Sequence, residues 1–508
     1  MSEALPERSA VFRGGAVAAL AALVSYLGID KFGVVGMLAP VIVGIVAIAL
    51  QRPAGAMALL FLVTVLFEGK SFGLLSVTSH LYSEAYKGMT PLDMLVAVAL
   101  FASAFDIIGK RRSVRVPRPL VPAVVTLLLG MIAGAITGYD NGQSLRSVTL
   151  SQDVLVYLLL LPMVVANLEL DRRRVRMLMG WVFALAVVKS GEGLFEVIGH
   201  FGPTIEGRSS LTYYEPTANW VIMIALFGAC AALASKMRLP RWVPLSVPLL
   251  LASLLLSYRR SFWIATALGL MVVVLLGLSP AGRRVLVPTA VLVGVAIFLV
   301  GSVSLQSSSP LVKRAESLSP TKLEQSPEAT YRNYERANVL RAISENPITG
   351  LGVKVPWAAT ATPLPIENVE GRQYVEVAAL WFWLKLGILG LFAYVSFMAG
   401  SLLLAWRVWR GSHEPELRAF GLASFAGLLG LLPIEVTASF TGVEGRFTVV
   451  LCIQVGLLAL LARTSAGSAA PGGPAEAPDP ESLAGELAPA WSRWRERGAR
   501  GRGWPASA

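Results

Sequence analysis

Histidine and cysteine are scarce in this sequence. The three histidines, His80, His200 and His413, lie far apart and lack the spacing of metal ligands. The two cysteines, Cys230 and Cys452, lie inside apolar runs and indicate neither a disulfide framework nor a reactive thiol. The sequence also lacks a P-loop and a dinucleotide fingerprint, which argues against ATP-driven transport. No metal and no soluble cofactor is signalled.

Charged residues are few as well, at 15% of the chain against 55% hydrophobic residues. An ordinary soluble domain has roughly a quarter charged residues, so the composition excludes that class. It predicts an all-α polytopic membrane protein. Cytoplasmic Lys and Arg then explain the formal net charge of +12, and no nucleic-acid partner is expected. Residues 1–13 carry charge without a convincing cleavage site after them, so no removable signal peptide is predicted.

Apolar runs in the sequence predict about fourteen transmembrane helices, since a span needs about 17–25 residues. The predicted spans are Gly14–Ile29, Gly33–Leu50, Ala54–Phe67, Pro91–Gly109, Leu120–Tyr139, Asp153–Leu168, Met177–Gly199, Ala218–Ser235, Trp242–Tyr258, Trp263–Leu278, Val285–Leu305, Val377–Trp406, Ala419–Thr441 and Phe447–Arg463. They form a transmembrane domain over residues 1–463, with one large polar loop at 306–376. The Ala-, Gly- and Pro-rich tail, 464–508, is predicted to be disordered.

Basic clusters occur in every second loop and predict the orientation. They are Lys110–Arg118, Arg172–Arg176, Lys236–Arg241, Arg283–Arg284 and Arg407–Arg410. Short cytoplasmic loops are enriched in Lys and Arg, so all five are assigned to the cytoplasm. Both termini are then cytoplasmic, the loop 306–376 faces the periplasm, and the protein is predicted to lie in a bacterial inner membrane.

Arg259 and Arg260 break this alternation. They lie between two spans, in the stretch Ser257–Phe262, on the side that should lack positive charge. Two adjacent guanidinium groups suit a pyrophosphate, because each can bind phosphate oxygens bidentately. The alternative is that both side chains snorkel to lipid headgroups. Arg208, in the loop before Pro216, is a weaker case of the same kind.

The polar loop 306–376 contains a predicted helix. Ser326–Pro327 is typical of a helix start, and the spacing of Tyr331, Ala337, Leu340 and Ile343 predicts an amphipathic helix as far as Glu345. Asn346–Pro347 should end this helix, and Gly350–Gly352 should form a tight turn. Acidic residues nearly balance the basic ones across the loop, so individually placed side chains are expected rather than a cationic patch.

The order of these features resembles the O-antigen ligase and O-antigen/exopolysaccharide polymerase superfamily, which are membrane glycosyltransferases of the GT-C type. In this family a Ser and an Arg end one span, and a periplasmic loop after a further span carries an Arg, a Pro and a Gly-x-Gly. The matching residues are Ser257 to Arg260, Arg332, Pro347, Gly350, Gly352 and the later run Leu386-Gly387-Ile388-Leu389-Gly390. The resemblance covers roughly Arg208 to Leu391.

The resemblance implies a GT-C-like fold and glycosyl transfer from a glycan on undecaprenyl pyrophosphate to a sugar hydroxyl, without a metal or cofactor. It implies Arg260 and Arg332 as catalytic residues, with Glu376 taking the acceptor's proton. Arg208, Arg259, Arg336 and Arg341 are then the candidate substrate-binding residues.

Two departures from the family pattern bear on the activity. Arg336 stands where the family often has Trp, and Glu376 stands where ligases typically carry His. The second departure favours a polymerase, which would work with membrane lipids, a flippase and a chain-length regulator. A ligase acting on lipid A-core or protein is the alternative. A transporter or flippase is a further alternative, because Glu192, Glu196 and Glu435 are acids within predicted spans.

Overall fold

Most of the described chain is helical. This computed structural model describes residues 53–67, 89–110, 114–170, 172–199, 204–205, 208–209, 215–235, 237, 239–278, 327–362 and 373–467. The helices in these ranges are α1 Pro53–Leu66, α2 Pro91–Gly109, α3 Val121–Asp140, α4 Leu145–Leu150, α5 Asp153–Ala166, α6 Arg172–Gly199, α7 Pro216–Ala234, α8 Trp242–Leu256, α9 Arg260–Gly277, α10 Pro327–Glu345, α11 Ala378–Gly411, α12 Pro415–Glu435 and α13 Gly445–Gly467.

Two short elements complete the described secondary structure. A 3-10 turn at Arg118–Leu120 leads into α3. The two-residue strands β1 Thr204–Ile205 and β2 Arg208–Ser209 pair antiparallel, with Ile205 opposite Arg208. This pair of two-residue strands leaves the predicted all-helical class of the described chain unchanged.

Eight of the described helices are long and apolar enough to cross a bilayer: α2, α3 with its 3-10 turn, α6, α7, α9, α11, α12 and α13. Three shorter apolar helices, α1, α5 and α8, coincide with further predicted spans. The multi-pass helical architecture is therefore confirmed. The predicted spans at 14–29, 33–50 and 285–305, and the tail beyond 467, lie outside the described residues. The count of fourteen and the periplasmic position of 306–376 stay predictions.

Proline and hydroxyl residues mark where several helices begin. Thr90 caps α2 through a reciprocal pair of hydrogen bonds with Asp93, and Pro91 is the first residue of the helix. Pro216 and Pro415 likewise open α7 and α12. Proline fits this position because the first backbone N–H groups of a helix have no partner within the helix.

The described helices divide into buried and peripheral ones. In α13 and α7, 83% and 78% of the most apolar stretch is buried by other parts of the protein, against 28% in α2. The outer face of α2 exposes large apolar side chains such as Phe101, Phe105 and Ile108. A helix that is apolar all round but buried on one side suits a lipid-facing position. The core therefore lies around α7, α12 and α13.

Glycines at four-residue spacing on α3 allow close packing of the loop segment that follows α10. A Cβ at Gly138 would lie 2.6 Å from the Val353 carbonyl oxygen, and one at Gly134 would lie 2.9 Å from that of Lys385. The Val353 N–H donates to the Gly134 carbonyl at 3.0 Å. Small residues at this spacing are common where membrane helices approach closely.

The predicted glycine turn is confirmed. Gly350 and Gly352 have φ of 70° and 94°, which side chains with a Cβ rarely adopt. Gly387, with φ of 66°, interrupts α11, and the Ile388 N–H there donates to the Ile348 carbonyl at 3.1 Å. The two glycine motifs of the sequence therefore meet, and they hold the end of the loop against α11.

Helix α10 confirms the predicted helix that ends at Glu345, but the predicted apolar face is wrong. Leu340 is 45% exposed, whereas Glu335 and Asn338 are buried beside Ile343. These polar side chains can lie inside because they are hydrogen-bonded. The Asn338 side chain accepts from the Ala361 N–H at 2.8 Å and donates to the Thr362 carbonyl at 2.8 Å.

Candidate functional site

The junction between α8 and α9 places Arg259 and Arg260 at the start of a helix. Tyr258 is buried and has φ of 52°, a left-handed conformation that costs a bulky residue roughly 1–3 kcal/mol. The Ser257 hydroxyl donates to the Leu254 carbonyl at 2.6 Å and accepts from the Arg259 N–H at 3.4 Å. This turn ends α8 and starts α9 at Arg260.

Arg259 lies in the wall of a cavity of about 370 Å³. Apart from Phe440, the lining residues all belong to the beginnings of α2, α5, α7, α9 and α13. The Arg259 guanidinium carbon lies 5.6 Å from the centre of the Phe440 ring, which is a cation–π distance. Five helix N-termini therefore meet at one end of the bundle, and their dipoles add positive potential there. We call this space the Arg259 cavity.

Two basic clusters lie at the C-terminal ends of α2, which begins at this cavity, and of α11, which does not line it. Lys110 caps the C-terminus of α2 and forms ion pairs with Asp106 at 2.8 Å and with Glu169 at 3.1 Å. Arg410 lies in the last turn of α11, stacked on Trp406 and Trp409. The Arg259 cavity is thus at the opposite end of α2 from the Lys110 cluster, as the alternation of charge predicts.

A buried ion pair lies in the wall of the Arg259 cavity. Arg446, near the start of α13, donates to Glu215 at 2.6 Å, and both side chains are 5% exposed. The same guanidinium also donates to the carbonyls of Thr64 at 3.1 Å and Phe67 at 2.6 Å, at the end of α1. A buried charge needs such a complete set of partners. The pair therefore ties together the ends of α1, α7 and α13.

A second ion pair joins the loop helix α10 to the start of α11. Arg332 donates to Glu376, and the two side chains are 32% and 25% exposed. Glu335 lies one helical turn along α10 and accepts from the Glu376 N–H at 3.0 Å. Glu335 is buried, and burial raises the pKa of its carboxyl to about 7, with the nearby Glu376 charge adding to the effect.

The segment Val436–Glu444 connects the two groups of charges. Ser439 accepts from the Tyr374 hydroxyl at 3.2 Å through its carbonyl, and its own hydroxyl donates to the Val375 carbonyl, next to Glu376. The following residue, Phe440, makes the cation–π contact with the Arg259 guanidinium. Glu435 fixes this segment by accepting from the N–H groups of Phe440 at 3.3 Å and Thr441 at 3.0 Å. Arg259 therefore contacts Phe440, and the two residues that precede Glu376 contact the adjacent Ser439 of the same segment.

The other predicted site residues are placed less centrally. Arg336 is exposed on α10 and adds positive potential near Glu335. Arg341 is exposed too and pairs with Glu345 at 2.7 Å along the same helix. Arg208 lies in strand β2, and its side chain is outside the described residues. Binding roles for these three stay predictions.

Arg446 and Glu444 were missed by the sequence analysis. Both lie at the start of a predicted span, on the side that should lack positive charge, so the signal that singled out Arg259 applied equally to Arg446. Burial raises the pKa of the Glu444 carboxyl, and the Arg446 charge opposes this shift. Among the described residues, no group of three or more His, Cys, Asp or Glu side chains is arranged to hold a metal ion.

Comparison with known proteins gives one informative match. Residues 245–395 match the family model described as O-antigen ligase. These residues include Arg259, Arg260, Arg332 and Glu376, whereas Arg208 lies outside them. No curated protein matches this chain.

One of the similar solved structures comes from work described as "Structural coordination of polymerization and crosslinking by a peptidoglycan synthase complex". It is 17% identical, covers 68% of this chain and 97% of that chain, and has a TM-score of 0.42, a level from which we draw no conclusion. The family match is the informative comparison, because its residues contain both the arginine pair and the Arg332–Glu376 ion pair. Residues 245–395 of this multi-pass membrane protein are therefore similar to the O-antigen ligase family.

Proposed function

We propose that this protein is a polymerase that joins undecaprenyl-pyrophosphate-linked oligosaccharide repeat units into a surface polysaccharide at the periplasmic face of the inner membrane. The observation that carries the proposal is that Arg259 contacts Phe440, while Tyr374 and Val375, the two residues before Glu376, hydrogen-bond to the adjacent Ser439. Cationic groups for a pyrophosphate and carboxylates for a proton transfer are thereby brought to one end of the bundle.

The arginines act on the leaving group in this proposal. As the glycosidic bond breaks, negative charge develops on a pyrophosphate oxygen. Arg259 and Arg260 are held by the turn at Tyr258 and by the start of α9, so they need little reorganisation to stabilise this charge. The N-terminus of α9 adds to the positive potential at the same place. No metal is required for this step.

The carboxylates act on the acceptor. Glu376 would take the proton from the attacking sugar hydroxyl, and Arg332 holds its carboxylate in position. Glu335 binds the Glu376 backbone, so that a second carboxyl lies beside the first. With its pKa near 7, Glu335 is a group that changes its charge in the working range of pH.

A ligase is the second candidate, because the matched family model is described as O-antigen ligase. A ligase would use the same donor but transfer the finished glycan to lipid A-core or protein. Glu376, in the position where ligases of this family typically carry His, favours the polymerase.

Deleting the gene separates the two candidates. Loss of a polymerase should leave carriers that bear single repeat units and should remove long glycan altogether. Gel analysis of the lipid-linked fraction gives the readout. Long chains that remain on undecaprenyl pyrophosphate in the deletion strain would refute the polymerase and identify a ligase. Unchanged glycan with altered transport of carriers would instead indicate a flippase.

A further inference from the structure

The Arg259 cavity is larger than a pyrophosphate requires and has the wrong charge for one along most of its wall. Its volume is about 370 Å³, within the range of roughly 300–1,000 Å³ found for small-molecule sites. Four carboxylates line it, from Asp93, Asp153, Glu215 and Glu444, against two guanidinium groups, from Arg259 and Arg446. The carboxylates would repel a phosphate group over most of this surface.

Most of these charged groups are already engaged within the protein. Glu215 is paired with Arg446 at 2.6 Å. Glu444 accepts from the N–H of Phe447 at the start of α13. Asp93 uses one oxygen for the Thr90 N–H at 2.6 Å and the other for the Tyr157 hydroxyl. These carboxylates shape the wall but have little free capacity for a ligand.

Asp153 differs from them. It is the first residue of α5, and its Oδ1 accepts from the adjacent Val154 N–H at 2.8 Å. Among the described residues, no other side chain hydrogen-bonds to Asp153. Its second oxygen can therefore accept a hydrogen bond from a molecule in the cavity. Arg259, at the start of α9, lines the same cavity.

A hydroxyl-rich ligand fits this distribution. Sugar hydroxyls donate well to carboxylates, and the Tyr157 and Phe440 rings supply apolar wall for the sugar's C–H faces. Because the described residues include no metal-binding group of acidic side chains, a bound metal ion is a poorer fit. Arg259 shares the same cavity, so a phosphate on Arg259 would have its attached sugar inside.

We propose that the Arg259 cavity binds the first sugar of the donor, the one whose C1 is bonded to the pyrophosphate, and that Asp153 accepts a hydrogen bond from a hydroxyl of that sugar. This inference rests on the proposed function and adds a specificity to it. The acidic wall selects an uncharged sugar and disfavours a uronic acid in this position, since like charges at close range repel.

Direct binding to the purified full-length chain in lipid nanodiscs tests this. The probes are undecaprenyl pyrophosphate without sugar, and the same carrier bearing N-acetylglucosamine, galactose or glucuronic acid. At least one neutral-sugar carrier should bind about tenfold more tightly than the sugar-free carrier, the value of one hydrogen bond to a charged group. The glucuronyl carrier should bind no more tightly than the sugar-free one.

Two variants locate the effect. Asp153→Asn should remove most of the affinity that the neutral sugar adds. It should also bring the affinity for the glucuronyl carrier closer to the affinity for the neutral-sugar carrier. The affinity for the sugar-free carrier should stay unchanged. Tyr157→Phe keeps the ring and tests the hydroxyl that binds Asp93. Asp140→Asn is the matched control, because Asp140 is an exposed carboxylate at the end of α3 and does not line the cavity.

The outcomes separate this inference from the function on which it rests. Equal binding of sugar-bearing and sugar-free carriers, with Arg260→Ala weakening both, would overturn the sugar site and leave the pyrophosphate site standing. Absence of carrier binding by the parent protein, together with normal product from Arg260→Ala, would overturn the proposed function itself. Sodium-dependent thermal stabilisation that Asp153→Asn abolishes, without discrimination among carriers, would reassign the cavity to a cation.

Discussion

The two Arg–Glu pairs at this end of the bundle have the same chemistry and different surroundings. Arg446 and Glu215 are 5% exposed, and the guanidinium also binds two backbone carbonyls of α1. Arg332 and Glu376 are 32% and 25% exposed and lie beside the buried Glu335. The first pair is almost fully buried, although it borders the Arg259 cavity, whereas the second is partly open to solvent.

This difference separates structural roles from chemical ones. A fully buried pair cannot lose one member without leaving the other charge unpaired in a medium of low polarity. A partly exposed pair contributes little to stability, because water replaces the lost partner. We therefore expect the Arg446–Glu215 pair to be needed for folding. We expect the Arg332–Glu376 pair to be needed for catalytic turnover.

The largest expected effect is that of Arg446→Ala. Leaving Glu215 buried and unpaired should lower the free energy of unfolding by about 3–5 kcal/mol, whereas Arg332→Ala should lower it by no more than about 1 kcal/mol. Unfolding in mixed micelles at increasing SDS concentration measures both. The double variant Arg446→Met/Glu215→Gln should recover much of the loss. Equal destabilisation by Arg446→Ala and Arg332→Ala would contradict the different roles assigned to the two ion pairs.

Arg260→Ala should reduce glycan product by about 10²–10³-fold, the size of effect found when one preorganised donor to a developing charge is removed. Membrane abundance should stay normal. Arg260→Lys should restore little, since an ammonium cannot reproduce the bidentate geometry. Arg418→Ala, an exposed arginine near the start of α12, is the control. Near-normal product from Arg260→Ala would mean that the arginine pair only anchors lipid headgroups.

Glu376→Gln keeps the shape of the side chain but removes its basicity. Turnover should fall by about 10²-fold or more, a usual contribution of general base catalysis, while donor affinity changes little. Single-turnover kinetics and carrier binding on the same preparation separate the two quantities. Parent-like turnover would show that another group takes the proton.

The smallest predicted effect concerns the pH dependence that Glu335 adds. Its pKa is raised to about 7, so the native state holds its proton more tightly than the unfolded chain. Stability from this group is present at low pH and is lost as pH rises towards about 7. If turnover needs the ionised form, the rate should increase as pH rises through about 7. Glu335→Gln should flatten both profiles, and a parent-like pH–rate profile in this variant would exclude Glu335 from the chemistry.

Several local features were predictable from the sequence because they depend on local rules. Pro327 opens α10, Glu345 ends it, and Gly350 and Gly352 adopt the positive φ that their spacing indicated. The buried face of α10 was not predictable. Leu340 faces outward and Glu335 inward, because partners elsewhere in the chain satisfy the polar side chains of that face.

The sequence by itself determined the class of protein, since apolar runs of this length must be helical in a bilayer, where each backbone polar group needs a partner within its own segment. It also singled out Arg259 and Arg260, because positive charge on that side of a membrane protein is anomalous. Only the tertiary structure decided that Arg446 forms a buried ion pair with Glu215, whereas Arg332 forms a partly exposed one with Glu376 beside Glu335. These partners are far apart in sequence, and no local pattern encodes which helix ends pack together.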